Sequence, residues 1–189
     1  MRYTLRLSLA AALTLAANAS VAQTTGGAGI IYGAHHAFTV EAPAGWVLDN
    51  QAGQSSGLVA VFYRTGESWE HGTAVMYVNT SSPDSGEAAD PLRVIAEDSA
   101  HFVSEAPAIS IRSAPSLRTS DGRVAYVRYF AGEPSGRYEA VAYVAEKTLT
   151  PIIVLTARTQ AAFEAALPAF AQLVRSYWFM TSDVRIQHN

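Results

Sequence analysis

Cysteine is absent from this chain of 189 residues. The chain therefore forms no disulfide, has no thiol nucleophile and has no thiol to which a lipid could be attached. Many small exported domains are stabilised by disulfides. Because this chain can form none, packing of its core must stabilise it, and its length is sufficient for such a core. Phosphate-binding glycine motifs of the G-x-x-x-x-G-K-[ST] and G-x-G-x-x-G types are also missing, which leaves nucleotide binding without support.

Basic residues are scarce as well. The chain has 13 Lys and Arg against 16 Asp and Glu, a formal net charge of −3. The arginines of the second half are scattered over strand-like segments and form no basic run. Nucleic acids and anionic membrane surfaces both select for basic patches. The sequence therefore predicts a protein that binds no nucleic acid.

No apolar run is long enough to cross a membrane, and the longest one lies at the amino terminus. Arg2 and Arg6 precede an apolar stretch over residues 7–17, and the small residues Ser20 and Ala22 follow it. A spanning helix needs about 20 apolar residues, whereas this pattern is typical of a secretory signal peptide. We predict a signal peptide over residues 1–22, cleavage before Gln23, no membrane insertion, and a periplasmic or secreted product.

Hydrophobic periodicity divides the remaining chain into strands and two helices. Residues 23–35, rich in glycine, are interpreted as a flexible lead-in, and residues 36–189 as one domain. Apolar runs bounded by turn residues predict strands at 36–42, 46–48, 57–64, 72–80, 108–118, 123–131, 137–146 and 151–158. The runs at 57–64 and 72–80 are apolar on both faces, which indicates a sheet covered on each side. The hairpin-like succession of the later strands predicts an antiparallel meander.

Both helices carry start signals. Asp90 is placed to cap the first helix and Pro91 to occupy its first position. Its apolar stripe is predicted at Leu92, Ile95, Ala96, Ser99, Phe102 and Val103, with Asp98 on the solvent side. Thr159 is placed to cap the second helix, which Pro168 is expected to kink or restart.

Two segments resemble the PsbP-like superfamily, the relatives of the photosystem II extrinsic protein PsbP that include bacterial periplasmic proteins. The first is the opening Phe-Thr-Val-Glu-Ala-Pro-Ala-Gly-Trp at 38–46; the second is the close, where Leu-Thr-Ala-Arg at 155–158 leads to Val-Arg-Ser-Tyr at 174–177. The resemblance implies an α+β fold in which an antiparallel β-sheet is flanked by helices as an α/β/α sandwich. Members are mostly non-enzymatic binding and assembly proteins, so the resemblance implies no catalytic residues and no cofactor.

The side chains that favour catalysis or metal binding are poorly arranged in the sequence. His35 and His36 are adjacent, and adjacent strand residues point to opposite faces, so they are not expected to share a metal. Ser68 follows Gly66 and Glu67 like a nucleophile elbow, but Glu70 replaces the second glycine and a strand follows where a helix is required. We predict neither a catalytic nor a metal site, and a hydrolase is the weakest alternative.

Trp69 is the strongest candidate binding residue. It lies in a polar loop between two predicted strands, flanked by Glu67, Glu70 and His71. Tryptophan is enriched at interface hot spots, and it also packs over sheet edges. We interpret residues 65–71 as a recognition edge for a protein partner in the bacterial envelope, with the protein acting as an accessory factor or a periplasmic immunity-type protein. A small-molecule or metal carrier that uses a cleft between sheet and helix is the alternative.

Processing is directly testable. The mature protein is expected to begin at Gln23, because Ser20 and Ala22 fit the two small pockets of signal peptidase. Intact-mass measurement on protein from the periplasmic fraction checks this expectation. A mass that retains residues 1–22 would contradict the predicted compartment.

Overall fold

The computed structural model describes residues 27–33, 36–82, 88–132 and 135–184. The predicted signal peptide lies outside the described residues. Within these residues, ten strands and two α-helices follow in the order β1 Ala28–Gly33, β2 His36–Glu41, β3 Trp46–Asp49, β4 Ala60–Arg64, β5 Ala74–Ser81, α1 Pro91–Glu105, β6 Ser110–Arg118, β7 Val124–Ala131, β8 Tyr138–Val144, β9 Thr150–Ala157, α2 Gln160–Ser176 and β10 Trp178–Thr181. A short 3-10 helix, Gln54–Ser56, lies between β3 and β4.

Seven strands form the central sheet, in the order β3-β4-β5-β9-β8-β7-β6. All neighbouring strands are antiparallel. The last four run as a meander that starts at the far edge and returns to β5. Gly122, with φ +83, allows the tight turn between β6 and β7. The predicted α+β fold with an antiparallel sheet is confirmed.

One face of the central sheet is covered by α2 and by a three-stranded sheet of β1, β2 and β10. Trp46, Phe163 and Phe170 are all buried in this layer. The Thr159 hydroxyl caps α2 by accepting a hydrogen bond from the Ala162 N–H at 3.2 Å. Pro168, expected to kink or restart the second helix, does not restart it: one helix runs through the proline, because its apolar stripe stays packed on the sheet on both sides.

The opposite face is covered over β7, β8 and β9 by α1, which Asp90 caps as predicted by accepting from the Leu92 N–H at 2.9 Å. Val94 and Ile95 are its buried residues, while Leu92 is 55% exposed. The predicted stripe is therefore rotated. Asp98, expected to face solvent, turns to the sheet because its Oδ2 accepts a 2.9 Å hydrogen bond from the buried Tyr143 hydroxyl.

The three-stranded sheet corrects two further expectations. The lead-in predicted at 23–35 contains strand β1, in which Ile31 is 4% exposed and packs inward. Its glycines obscured a short alternation that is stabilised by pairing with β2. The aromatic pair Trp178-Phe179, which follows the second helix in the sequence, is expected to close the core. Only Phe179 packs inward, whereas Trp178 is 51% exposed, because adjacent strand residues point to opposite faces.

A buried ion-pair cluster joins the β6–β7 turn to the start of β10. The Arg123 guanidinium lies 2.7 Å from the Asp121 carboxylate and 2.8 Å from that of Glu146, whose side chain is 3% exposed. Arg123 also lies over the Phe179 ring at 4.9 Å. Asp121 accepts the backbone N–H of Phe179 at 3.1 Å. Through these contacts Arg123 fixes the three-stranded sheet to the central one.

Replacing Arg123 with methionine is expected to lower the free energy of unfolding by about 3–5 kcal/mol, since it leaves the Glu146 carboxylate buried without its counter-charge. Urea denaturation measures the change. The matched control is Arg93→Met in the exposed Arg93–Glu97 pair, which is expected to cost no more than about 0.5 kcal/mol. Equal losses in the two variants would contradict the proposed role of the cluster.

The raised pKa of Asp98, on α1, makes the stability of the folded protein depend on pH. Burial raises this pKa above its usual 3.8 and outweighs the opposing hydrogen bond from Tyr143. The folded protein therefore binds the Asp98 proton more tightly than the unfolded chain, so the contribution of Asp98 to stability falls as pH rises from about 4 through the raised pKa. Asp98→Asn removes this fall while keeping an oxygen that accepts from Tyr143. The free energy of unfolding is measured for both proteins at about pH 4 and pH 7. The value for Asp98→Asn minus that for the wild type should be larger at pH 7 than at pH 4. The same difference at both pH values would contradict a raised pKa for Asp98.

Candidate functional site

An open groove of about 480 Å³ lies on the α1 side of the central sheet, where α1 does not reach. Its floor comes from β5, β8 and β9, and one wall from the connection between β4 and β5 that carries Trp69. The groove is lined by aromatic, charged and hydroxyl side chains together with the apolar Leu58 and Val75.

Strand alternation places the floor residues. Val75, Tyr77 and Asn79 project from β5 to the same face because successive side chains alternate. In the register of the sheet, Thr156 of β9 lies directly between Val75 of β5 and Glu139 of β8. The floor therefore changes from apolar to polar across three neighbouring strands.

The Trp69 wall is held rigidly by its own hydrogen bonds. Glu67 accepts from both the backbone N–H and the hydroxyl of Thr73, at 3.1 and 3.2 Å. The buried Gly72 allows a close approach of the chain: a Cβ there would lie 2.8 Å from Val75 Cγ1 and 2.9 Å from the Ser68 carbonyl oxygen. This packing presents Trp69 to the groove in a defined position.

Trp69 is half-buried. Part of its ring packs over the sheet and part is exposed, so each of the two roles expected for it applies to one part of the ring. One part packs on a cluster of buried side chains from β3, β4 and β5, and the ring meets Tyr77 edge-on with centroids 6.1 Å apart. The remainder lines the groove. The residue is thus both a cover for the sheet and an exposed aromatic surface.

Two arginines flank these aromatic rings. Arg137 and Arg158 are both exposed and line the groove with Glu70 and Glu139. Arg158 donates a 2.7 Å hydrogen bond to the carbonyl oxygen of Glu70, which ties β9 to the Trp69 wall. A groove with aromatic rings and charges of both signs suits a ligand that offers an apolar group together with polar groups.

Only part of the predicted site is brought together. Trp69 and Glu70 line the groove, whereas Glu67 is engaged with Thr73 and the exposed His71 is not among the lining residues. The role assigned to these four residues remains a prediction.

Sequence reasoning missed the residues that come from the other strands: Tyr77, Arg137, Glu139, Thr156 and Arg158. They are separated from Trp69 along the chain and meet only through strand pairing. A signal was present, since polar residues in the strand 151–158 alternate with residues that point to a buried layer. Such polar positions mark a stretch of sheet that no helix covers.

The described residues contain no group of three or more potential metal ligands. His36 lies against the Phe38 ring with centroids 5.9 Å apart, and its neighbour His35 lies outside the described residues. The Ser68 hydroxyl accepts the backbone N–H of His71 at 3.3 Å, in a turn that leads into a strand. None of the described helices has the length and apolar character needed to span a bilayer.

Comparison with known proteins identifies the fold. The solution structure of cyanobacterial PsbP (CyanoP) from Synechocystis sp. PCC 6803 is similar over 88% of this chain and 99% of that one, with a TM-score of 0.54 and 14% identity. The fold is PsbP-like. No protein-family model and no curated protein sequence matches the chain. At 14% identity the likeness shows the PsbP-like fold alone.

Proposed function

We propose that this chain is an exported, non-enzymatic binding protein that acts on a protein partner in the bacterial envelope, and that the Trp69 groove is its recognition surface. The observation that carries the proposal is the half-exposed pair of Trp69 and Tyr77 on an uncovered stretch of sheet. Tryptophan, tyrosine and arginine are the residues most enriched at interface hot spots, and all three line this groove.

The arrangement of charge supports a protein ligand. Arg137, Arg158, Glu70 and Glu139 place charges of both signs around the aromatic pair, as in interfaces whose apolar centre is enclosed by a polar rim. Such a rim tunes association rate and selectivity more than affinity. The amino-terminal pattern supports export, and the PsbP-like fold is compatible with either an accessory factor or an immunity-type protein.

One observation favours a small-molecule carrier as the second candidate. The Oγ1 atom of Thr156 is buried in the groove floor and has no hydrogen-bond partner among the described residues. An unsatisfied buried hydroxyl costs about 1–3 kcal/mol, and a polar group of a small ligand would satisfy it. Native mass spectrometry distinguishes the candidates: a co-purifying small molecule that is lost in Thr156→Val favours the carrier.

Arg137→Ala tests the proposed recognition surface without disturbing the core, because Arg137 is exposed and directly precedes β8. Capture of the partner from periplasmic extract is expected to fall about tenfold, the effect of losing a contact of roughly 1.4 kcal/mol. The melting temperature should be unchanged. Trp69→Ala is expected to lose capture and stability together, since its ring also packs on the sheet.

The matched control is Arg112→Ala on β6, an arginine that is also exposed and does not line the groove. It should capture as well as the wild type. Equal capture by the Arg137→Ala and wild-type proteins, or an equal loss in both arginine variants, would contradict recognition through the groove.

A further inference from the structure

Strand β1 has one edge that no described strand pairs with. The carbonyl oxygen of Gly27 accepts from the Ala42 N–H of the opposite residue at 3.0 Å. Hydrogen-bonded pairs alternate with non-bonded ones in an antiparallel ladder. Because Gly27 belongs to a bonded pair, Gly29, Ile31 and Gly33 do as well, and the residues between them belong to non-bonded pairs. The backbone groups of Ala28, Ile30 and Tyr32 must therefore point away from β2, toward the free edge.

A hydrogen bond on the other side of β2 agrees with this alternation. Glu41 lies opposite Ala28, in a pair predicted to be non-bonded, and its N–H donates instead to the Ser176 hydroxyl at 2.9 Å. The free edge of β1 thus offers three N–H donors and three carbonyl acceptors at every second residue.

A groove of about 490 Å³ runs beside this edge, between β1 and the segment that joins β3 to β4. A second hollow of about 220 Å³ continues it toward the end of β5 and shares Tyr32 and Val59 with the first. Ile30, Tyr32 and Val59 are 60%, 62% and 53% exposed. The described residues that line the two hollows include no Asp, Glu, Lys or Arg.

Strand β1 also lacks the features that protect natural sheet edges. Its sequence, Ala-Gly-Ile-Ile-Tyr-Gly, contains no charged residue and no proline, and its pairing with β2 has no bulge. Edge strands that are not meant to pair usually carry charges, prolines or bulges. The free edge is therefore competent to accept a further strand.

We propose that β1 binds an extended, uncharged segment of a partner protein as an added strand, hydrogen-bonded to the backbone of Ala28, Ile30 and Tyr32. The groove favours a single strand over a second copy of this chain, because the edge adjoins a groove of about 490 Å³ whose opposite wall is the segment between β3 and β4. The absence of charged lining residues favours uncharged apolar side chains. This site does not depend on the Trp69 groove being a recognition surface.

The probe is a blocked peptide in which threonine and valine alternate, titrated into the mature protein and followed by NMR. Strand addition should shift the amide signals of Ala28, Ile30 and Tyr32 and slow their hydrogen exchange. A peptide of the same sequence with N-methylated valines cannot donate from those positions and should bind at least about tenfold more weakly. A peptide with glutamate in place of threonine should also bind more weakly.

Ile30→Pro removes an edge-facing donor and leaves the pairing of β1 with β2 intact, since proline is tolerated where the N–H faces outward. It should weaken the peptide about tenfold. Ile30→Val is the matched control, because it keeps the donor and an apolar β-branched side chain in the groove; it should lose much less affinity than Ile30→Pro.

Four outcomes would overturn the proposal. The Thr-Val peptide fails to bind, or it binds the Ile30→Pro and wild-type proteins equally. The amides of Ala28, Ile30 and Tyr32 are already protected in the free monomer, which would show that another part of the chain covers the edge. Protection that rises with protein concentration, together with dimer formation in sedimentation, would assign the edge to a second copy.

Discussion

The structure is governed by the need to cover two apolar faces of a seven-stranded sheet with few elements. Strands lie about 4.8 Å apart, so seven of them span about 29 Å, whereas a helix with its side chains is only about 10 Å wide. One face is covered by α2 together with the three-stranded sheet. The other has α1 over β7, β8 and β9, and loops must cover the rest.

The candidate site follows from this uneven cover. The segments between β3 and β4 and between β4 and β5 pack Leu58 and Trp69 on the far strands, and a gap remains between them and α1. An apolar side chain that projected into the gap would be exposed to water. This explains the polar residues Glu139 and Thr156 in otherwise buried strands, and Arg158 directly after β9. These side chains are accessible to a ligand because neither α1 nor a loop covers this part of the sheet.

The three-stranded sheet is also a covering layer that ends at an uncovered edge. Its inward residues Ile31, Phe38 and Phe179 complete the core, and the Arg123 cluster fixes its last strand to the β6–β7 turn. A small sheet fixed at one edge leaves its other edge exposed along β1. Both proposed binding surfaces therefore arise where a covering layer ends.

Much of this fold could be predicted from local patterns. The apolar runs, the turn at Gly122, and the caps at Asp90 and Thr159 identified strands β2 to β9 and both helices, because each signal depends on a few neighbouring residues. Strands β1 and β10 were missed because both depend on pairing with β2. The orientation of α1 was missed because Asp98 has a buried partner 45 residues away. The groove was found only in part: Trp69 is conspicuous in its loop, whereas Tyr77 and Arg158 join it through strand order.

Hydroxyl-radical footprinting of the free and partner-bound protein tests the central claim most directly. In the free protein, Trp69 and Tyr77 should be labelled while Tyr143, beneath α1 on the same face, is protected. On binding of the partner, labelling of Trp69 and Tyr77 should fall and that of the exposed Trp178 should not change. Protection of Trp178 with unchanged labelling of Trp69 would contradict the account.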